Sequence, residues 1–299
     1  MVERRVGIVE NGRLPGVRQL RYSPAAGAGF GVEALSFGRL RRMDPGRRRV
    51  RPQRPDFHVL GLVRSGSGRH TADFVDEDLR ARSVVWIRPG VVHRWTDVED
   101  LDGPLILFEQ GFLPAGPAAR AAGDAFAPAT RHLDAGAWDL AVRAADHLAR
   151  EHAAAVTDPR LASPPVLAHL LAALVLRVVP AGQAGAAAAG EGGTVFHRYR
   201  AAVEEHFTRW HHVGDYARAL GYGTRTLTRA TRVGAGVGAK RFLDQRILLE
   251  AKRLLAHTDL PVARCAERLG FDDPANFTAF FQRQEGLSPG RWRTARSGR

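Results

Sequence analysis

Cysteine is almost absent: Cys265 stands alone in 299 residues. No intramolecular disulfide can form, and the expectation is a reducing, cytoplasmic compartment. Cys265 falls on the apolar face of an expected helix, where a packed thiol is expected rather than a reactive one. Long apolar runs are missing as well. The best candidate, Val166 to Val179, is too short to span a membrane and carries His169 and Arg177, so no membrane partner is expected. The first residues lack the apolar core of an export signal. Acidic side chains are the scarcer charge, 31 against 44 basic, for a formal net charge of +13. That excess is uneven: from Thr194 to Arg299 there are 19 Lys and Arg against 10 Asp and Glu, so this third of the chain carries +9 and the rest +4. Concentrated positive charge suits a phosphate backbone.

What is present in that basic third is a repeat. Val213/Val262, Ala217/Ala266, Leu220/Leu269, Gly221/Gly270 and Tyr222/Phe271 match in register. One residue is then inserted in the second copy, after which Leu227/Phe277, Gly236/Gly286, Val237/Leu287, Arg241/Arg291 and Phe242/Trp292 match. Val213, Tyr216, Ala217 and Leu220 fall at i, i+3, i+4 and i+7, the spacing of one apolar helix face, and Val262, Cys265, Ala266 and Leu269 repeat it. Gly221 and Gly270 stand where a left-handed cap is needed, and Asp273-Pro274 supplies an N-cap and first-turn proline for the next helix. Each copy therefore spells helix, tight turn, helix. Between them, Arg241 to His257 is expected as one helix with Leu243, Ile247, Leu248, Ala251, Leu254 and Leu255 inward. At 1.5 Å per residue it is roughly 25 Å long, enough to hold two recognition helices about one DNA turn, roughly 34 Å, apart.

The region from about Val195 to Arg293 resembles the DNA-binding domain of the AraC/XylS family of bacterial transcription regulators, and GFDDPANFTAFFQRQEGLSP is close to that family's signature. The first copy departs from the pattern: Ala230 and Thr231 stand where two large apolar residues are usual, and Gly234, Gly236 and Gly238 crowd the end of its second helix. That helix is expected to be the looser one. With Leu227 inward, Arg225, Thr228 and Arg229 face out; with Phe277, Phe280 and Phe281 inward, Ala275, Asn276, Ala279 and Arg283 face out. Arg225 and Arg229 suit guanine, Asn276 suits adenine, and Ala275 or Ala279 suits a thymine methyl. Arg283 and Arg291 suit phosphate, and any single arginine here could equally be a backbone contact.

Length leaves room for a second domain. Before residue 112 the pattern is of short strands, Phe30 to Phe37, Phe57 to Val63, Arg69 to Phe74, Val84 to Ile87 and Leu105 to Phe108, split by turns such as Ser65-Gly66-Ser67-Gly68. VLGLVRSGSGRHTADF and VVWIRPGVVHRW resemble the cupin-like jelly-roll sensor domain that commonly precedes this type of DNA-binding domain. The fold expected is thus a two-domain α+β chain, a cupin-like β-barrel with flanking helices followed by an all-α double helix-turn-helix domain. His58, Trp86, His93, Trp95 and Phe108 fall on strands or their ends, where they would either line a pocket for a small organic effector or simply fill the barrel. The His-x-His pair of metal cupins is missing, and no metal or other cofactor is expected. GRLRRMDPGRRRVRPQR, residues 38 to 54, holds eight arginines and one acid; it suits a solvated loop, with DNA or an anionic effector as alternatives.

Helices are expected over about 134–179: one from Trp138 to His152, and one begun by Ser163-Pro164-Pro165 with Leu167, Leu170, Leu171, Leu174 and Val178 inward. Their stripes bury against the barrel or against a second subunit, and the resemblance implies a homodimer. Domain bounds are 1–180 for the sensor, 181–193 for a flexible linker and 194–299 for DNA binding. The function expected is a transcription regulator binding double-stranded promoter DNA and a small effector, with RNA polymerase a candidate partner, and not an enzyme. A metal-dependent cupin enzyme fused to a DNA-binding module is the alternative from another class, and a constitutive architectural DNA binder is a third.

Overall fold

The computed structural model describes residues 8–14, 17–23, 30–124, 127–179 and 190–297. The chain separates into two units, Met1–Ala184 and Gly185–Arg299. Most of the expected linker lies outside the described residues, and its last four, 190–193, already belong to the first helix of the second unit.

The first unit is built on two sheets. One runs β1 (Ile8–Leu14), β2 (Val17–Tyr22), β4 (Gln53–Pro55), β9 (His93–Asp97), β6 (Gly68–Ala72), β7 (Val75–Leu79); the other runs β11 (Thr130–His132), β8 (Ser83–Ile87), β5 (His58–Leu62), β10 (Pro104–Phe108), β3 (Val32–Ser36). Leu20, Ala72, Leu79 and Trp95 of the first sheet share a core with Val59, Val85, Ile87, Leu105 and Leu107 of the second. Every residue of β5, β8 and β10 is buried, because the opposite face of that sheet is covered too. There Leu60, Leu62, Val84, Trp86, Ile106 and Phe108 meet α2 (Pro117–Ala122), α3 (Ala135–Thr157) and α4 (Pro164–Val178) through Ala141, Ala145, Leu148, Leu167, Leu171 and Leu174. The helical stripes are thus buried within the unit. Asp134 caps α3 by accepting from the Ala137 amide at 2.8 Å, whereas Ser163, at the N-cap of α4, makes no side-chain capping bond.

Among the described residues, six strands, β1, β2, β4, β7, β9 and β11, lie outside the five expected, and two of the expected segments take another form. The strand expected through Phe74 stops at Ala72, since Asp73 and Phe74 take positive φ and turn the chain into β7. β7, VDEDL, is a sheet edge, and charge on an edge discourages further pairing. The arginine-rich run is not a solvated loop: it forms α1 (Phe37–Met43), capped by Ser36, and a 3-10 turn at Arg48–Val50. Arg41 donates to the carbonyls of Val98 (2.9 Å) and Leu101 (2.6 Å). Arg49, 3% exposed, is held between Asp44 and Glu99.

The second unit is helical: α5 (Gly190–His206), α6 (Val213–Leu220), α7 (Thr224–Ala235), α8 (Ala239–His257), α9 (Val262–Arg268), α10 (Pro274–Glu285) and α11 (Pro289–Ser297). Leu243, Ile247, Ala251, Leu254 and Leu255 of α8 are buried as the periodicity requires. So are Arg246, Glu250 and Arg253, which the expected inner face did not include, whereas Leu248, which it did include, is half-buried. Arg246 pairs with Glu204 of α5 at 2.8 Å and Glu250 at 3.3 Å, Arg253 pairs with Glu250 at 3.1 Å, and the Arg246 guanidinium lies 3.9 Å from the Phe207 ring centroid. Desolvating buried ions offsets much of their attraction, so these pairs add little net stability, and Glu204 Oε1 is left buried without a partner. The central helix is therefore enclosed, not bare on one side.

Candidate nucleic-acid interface and barrel core

Gly221 ends α6 and Gly270 follows α9, both left-handed at φ +73° and +77°, so the chain reverses tightly into α7 and α10. Asp273 opens α10, its carboxylate accepting from the Ala275 amide at 2.7 Å with Pro274 in the first turn. Leu227 is fully buried under α7, as are Phe277 and Phe281 under α10. These anchors decide what faces out. On α7, Arg225, Arg229 and Arg232 are exposed and Thr228 half-buried; with Thr224 and Val233 they line a shallow groove of about 410 Å³. On α10, Ala275, Asn276, Ala279 and Arg283 are exposed, as is Arg291 on α11. Among the described residues, Arg225, Arg229, Arg232 and Arg291 take no carboxylate partner. Unpaired guanidiniums on one helix face suit phosphate and guanine. Arg232 and Val233 were not singled out in the sequence; carrying the 3.6-residue period on from Arg225 and Arg229 would have found them.

The first copy is closed differently from the second. Ala230 and Thr231 are as buried as their counterparts Phe280 and Phe281, and Thr231 donates its hydroxyl to the Leu227 carbonyl at 2.7 Å. The missing bulk comes from α5. Phe196 reaches Gly234, where a Cβ would sit 2.2 Å from its ring, and packs edge-on against Phe242 at 5.6 Å. Tyr199 packs on Phe242 and on Tyr216. Each of the three crowding glycines has a place: Gly234 admits Phe196, Gly236 is the left-handed cap of α7, and Gly238 is the N-cap of α8.

In the first unit, the five residues expected at one pocket fall on two faces. His58, Trp86 and Phe108 lie on the helix-covered face of the second sheet, where His58 stacks on Phe108 at 4.4 Å and accepts from the Trp86 indole at 3.4 Å. Trp95 and His93 share the inward face of β9, in the core between the sheets. They meet a residue the sequence did not flag, His70 of β6, whose register places it opposite Trp95. His70 Nε2 lies 3.1 Å from His93 Nδ1, and the His70 ring centroid lies 4.5 Å from that of Trp95. Burial depresses His93 to about 3, and burial first, with repulsion from His93 should that ring also be protonated, holds His70 well below the usual histidine range, so both are neutral at neutral pH. A neutral imidazole has one N–H, so whichever ring donates within the pair, one donor and one acceptor remain at its two outer nitrogens. Those atoms, His70 Nδ1 and His93 Nε2, are buried without partners, as is Nε2 of Gln53, the cross-strand neighbour of His93. Among the described residues no group of three or more His, Cys, Asp or Glu is placed to hold a metal ion, and no helix is long and apolar enough to cross a membrane.

Against known families, residues 35–189, just over half of the chain, match the AraC-like ligand binding domain, and residues 216–295 match a helix-turn-helix domain. The chain belongs to the AraC family. Among curated AraC-family relatives it is similar to the HTH-type transcriptional activator RhaS of Enterobacter sp. (strain 638), 35% identical over 100 residues, which are 32% of this chain and 34% of that one. The same activator of Escherichia coli O139:H28 is 33% identical over 96 residues. The chain thus spans about a third of the length of the curated relatives it matches. Among solved structures, the DNA-binding domain of AdpA in complex with a target DNA shares 32% identity over 32% of this chain and 87% of its own, with a TM-score of 0.30. ToxT from Vibrio cholerae O395 shares 10% identity over 82% of this chain and 91% of its own, with a TM-score of 0.38.

Proposed function

We propose that this chain is a cytoplasmic transcription regulator that binds double-stranded promoter DNA through α7 and α10 and responds to a small organic effector held in its barrel. The observation that carries the reading is the duplicated helix-turn-helix, two helices exposed on one face and packed on the other, with the α7 arginines free of carboxylate partners. Arg225, Thr228 and Arg229 read bases from the first helix, Ala275, Asn276 and Ala279 from the second, and Arg283 and Arg291 grip phosphate. RNA polymerase and a second copy of the chain are its protein partners. It is not an enzyme.

The effector half rests on the His70–His93 pair. A buried polar atom without a partner costs about 1–3 kcal/mol; two such atoms belong to the histidines packed against Trp95, and the third to Gln53 opposite His93. A small polar molecule offering both a donor and an acceptor, with an apolar face for the indole, satisfies them. His58, Trp86 and Phe108 then act as the wall between barrel and helices.

The test is a titration of the full chain with duplexes enriched from a random-sequence library, with and without fractions of a small-molecule cell extract. One fraction should change DNA affinity, and DNA should change affinity for its active component by the same factor. His93→Gln should remove the response and leave DNA affinity without extract unchanged. No enriched duplex, or no responsive fraction, would contradict the reading.

A further inference from the structure

The loop between α5 and α6 touches both copies of the repeat. Trp210 fastens it to the first: Trp210 packs edge-on against Tyr216 at 5.2 Å, the Tyr216 hydroxyl donates to the Trp210 carbonyl at 3.0 Å, and the His206 ring lies 4.1 Å from that of Trp210. Phe207 and the His211 backbone fasten it to the central helix: Lys240, paired with Asp244 at 2.6 Å, donates to the His211 carbonyl at 3.2 Å, and Phe207 lies under Arg246. The His211 side chain reaches the second copy. His211 Nε2 lies 2.8 Å from the Leu269 carbonyl oxygen at the end of α9, to which its N–H donates. The His211 ring packs at 4.5 Å on Phe271, which packs at 5.4 and 5.5 Å on Phe277 and Phe280 beneath the second recognition helix.

Gly270 records the same contact. A Cβ there would sit 1.8 Å from the Thr208 carbonyl oxygen, whereas Gly221, its counterpart with nearly the same left-handed φ, has nothing within 4 Å. Both glycines serve the turn; Gly270 alone also admits the loop.

We propose that residues 207–212 are a strut that fixes the separation and angle of α7 and α10, with His211 and Gly270 as positioning residues, so that the chain accepts its two half-sites at one spacing. The proposal rests on the reading that both helices enter DNA. Two copies joined by α8 alone could rotate about it as their packing relaxed. A second tie, crossing from α6 to the turn before α10, removes that freedom, and a rigid pair of reading heads penalises every spacing but one.

The experiment enriches duplexes from a random-sequence library with the full chain, its His211→Ala and Gly270→Ala variants, and Gly221→Ala as a control that shares the positive-φ strain without the close neighbour. Affinities are then compared at the preferred spacing and at one base pair more or less. The wild type should enrich two motifs at one spacing, and Gly221→Ala should keep it. His211→Ala and Gly270→Ala should enrich the same two motifs over a broadened range, the preference for the main spacing falling about fivefold, as for one lost buried hydrogen bond. His211→Ala carries the test if Gly270→Ala does not fold. An unchanged spacing preference, an equal loss at every spacing, or a wild type that enriches a single motif overturns the strut while leaving DNA binding standing. A wild type that enriches nothing overturns the regulator reading and the strut with it.

Discussion

His58, His70 and His93 are buried in the first unit with their pKa values depressed, His58 by burial and by the nearby Arg88 charge, and His58 and His93 to about 3. A histidine whose folded pKa lies below its ordinary value of 6.5 takes up protons more readily when unfolded. Its stabilising contribution is therefore complete above pH 6.5 and is lost as pH falls from 6.5 toward 3. At pH 5.5 the loss is about 1 kcal/mol per histidine, so urea unfolding of the first unit should show a clearly lower midpoint at pH 5.5 than at pH 7.5. A midpoint independent of pH over that range would contradict the burial. Residue types at these positions were legible in the sequence, but their faces were not. Strand alternation separates the two faces of a single strand, but it cannot set the register between strands or tell the inside of a barrel from a face covered by distant helices. His70, a single histidine in a polar stretch, becomes notable only once the register sets it against Trp95.

The first recognition helix shows the same limit at the scale of an element. Ala230 and Thr231 read as a deficit because large side chains at those positions each bury roughly 1.5–3 kcal/mol. The deficit is made good by α5, which has no counterpart in the second copy and so leaves no trace in the repeat. Gly234 is the position that pays for the fit. Glycine to alanine inside a helix ordinarily gains up to about 1 kcal/mol, yet Gly234→Ala should lower the thermal midpoint of the second unit, since forcing a methyl against the buried Phe196 ring costs about 1–3 kcal/mol. Truncating Phe196 to alanine should then cost less in the Gly234→Ala background than in the wild type. Additive effects would mean that the two residues do not meet. Likewise Arg49, expected in a solvated loop, and Arg246, counted only in the basic excess after Thr194, form internal ion pairs, whereas Arg225 and Arg229 do not.

For the molecule as a whole, the repeat, the basic excess after Thr194 and the short strands before residue 112 were enough to read a β-rich domain followed by a double helix-turn-helix, because each pattern is local and periodic. What holds the two copies in one unit was not, since it runs through α5, the 207–212 loop and buried ions on α8 that belong to neither copy. The central claim is that α7 and α10 read two separate segments of one duplex. Hydroxyl-radical footprints of the wild type, Arg229→Ala and Asn276→Ala on duplexes enriched by the wild type test it most directly. The account predicts that each variant loses protection over a different segment, the two lying about one helical turn, roughly 10 base pairs, apart; loss of protection at the same bases by both variants would contradict it.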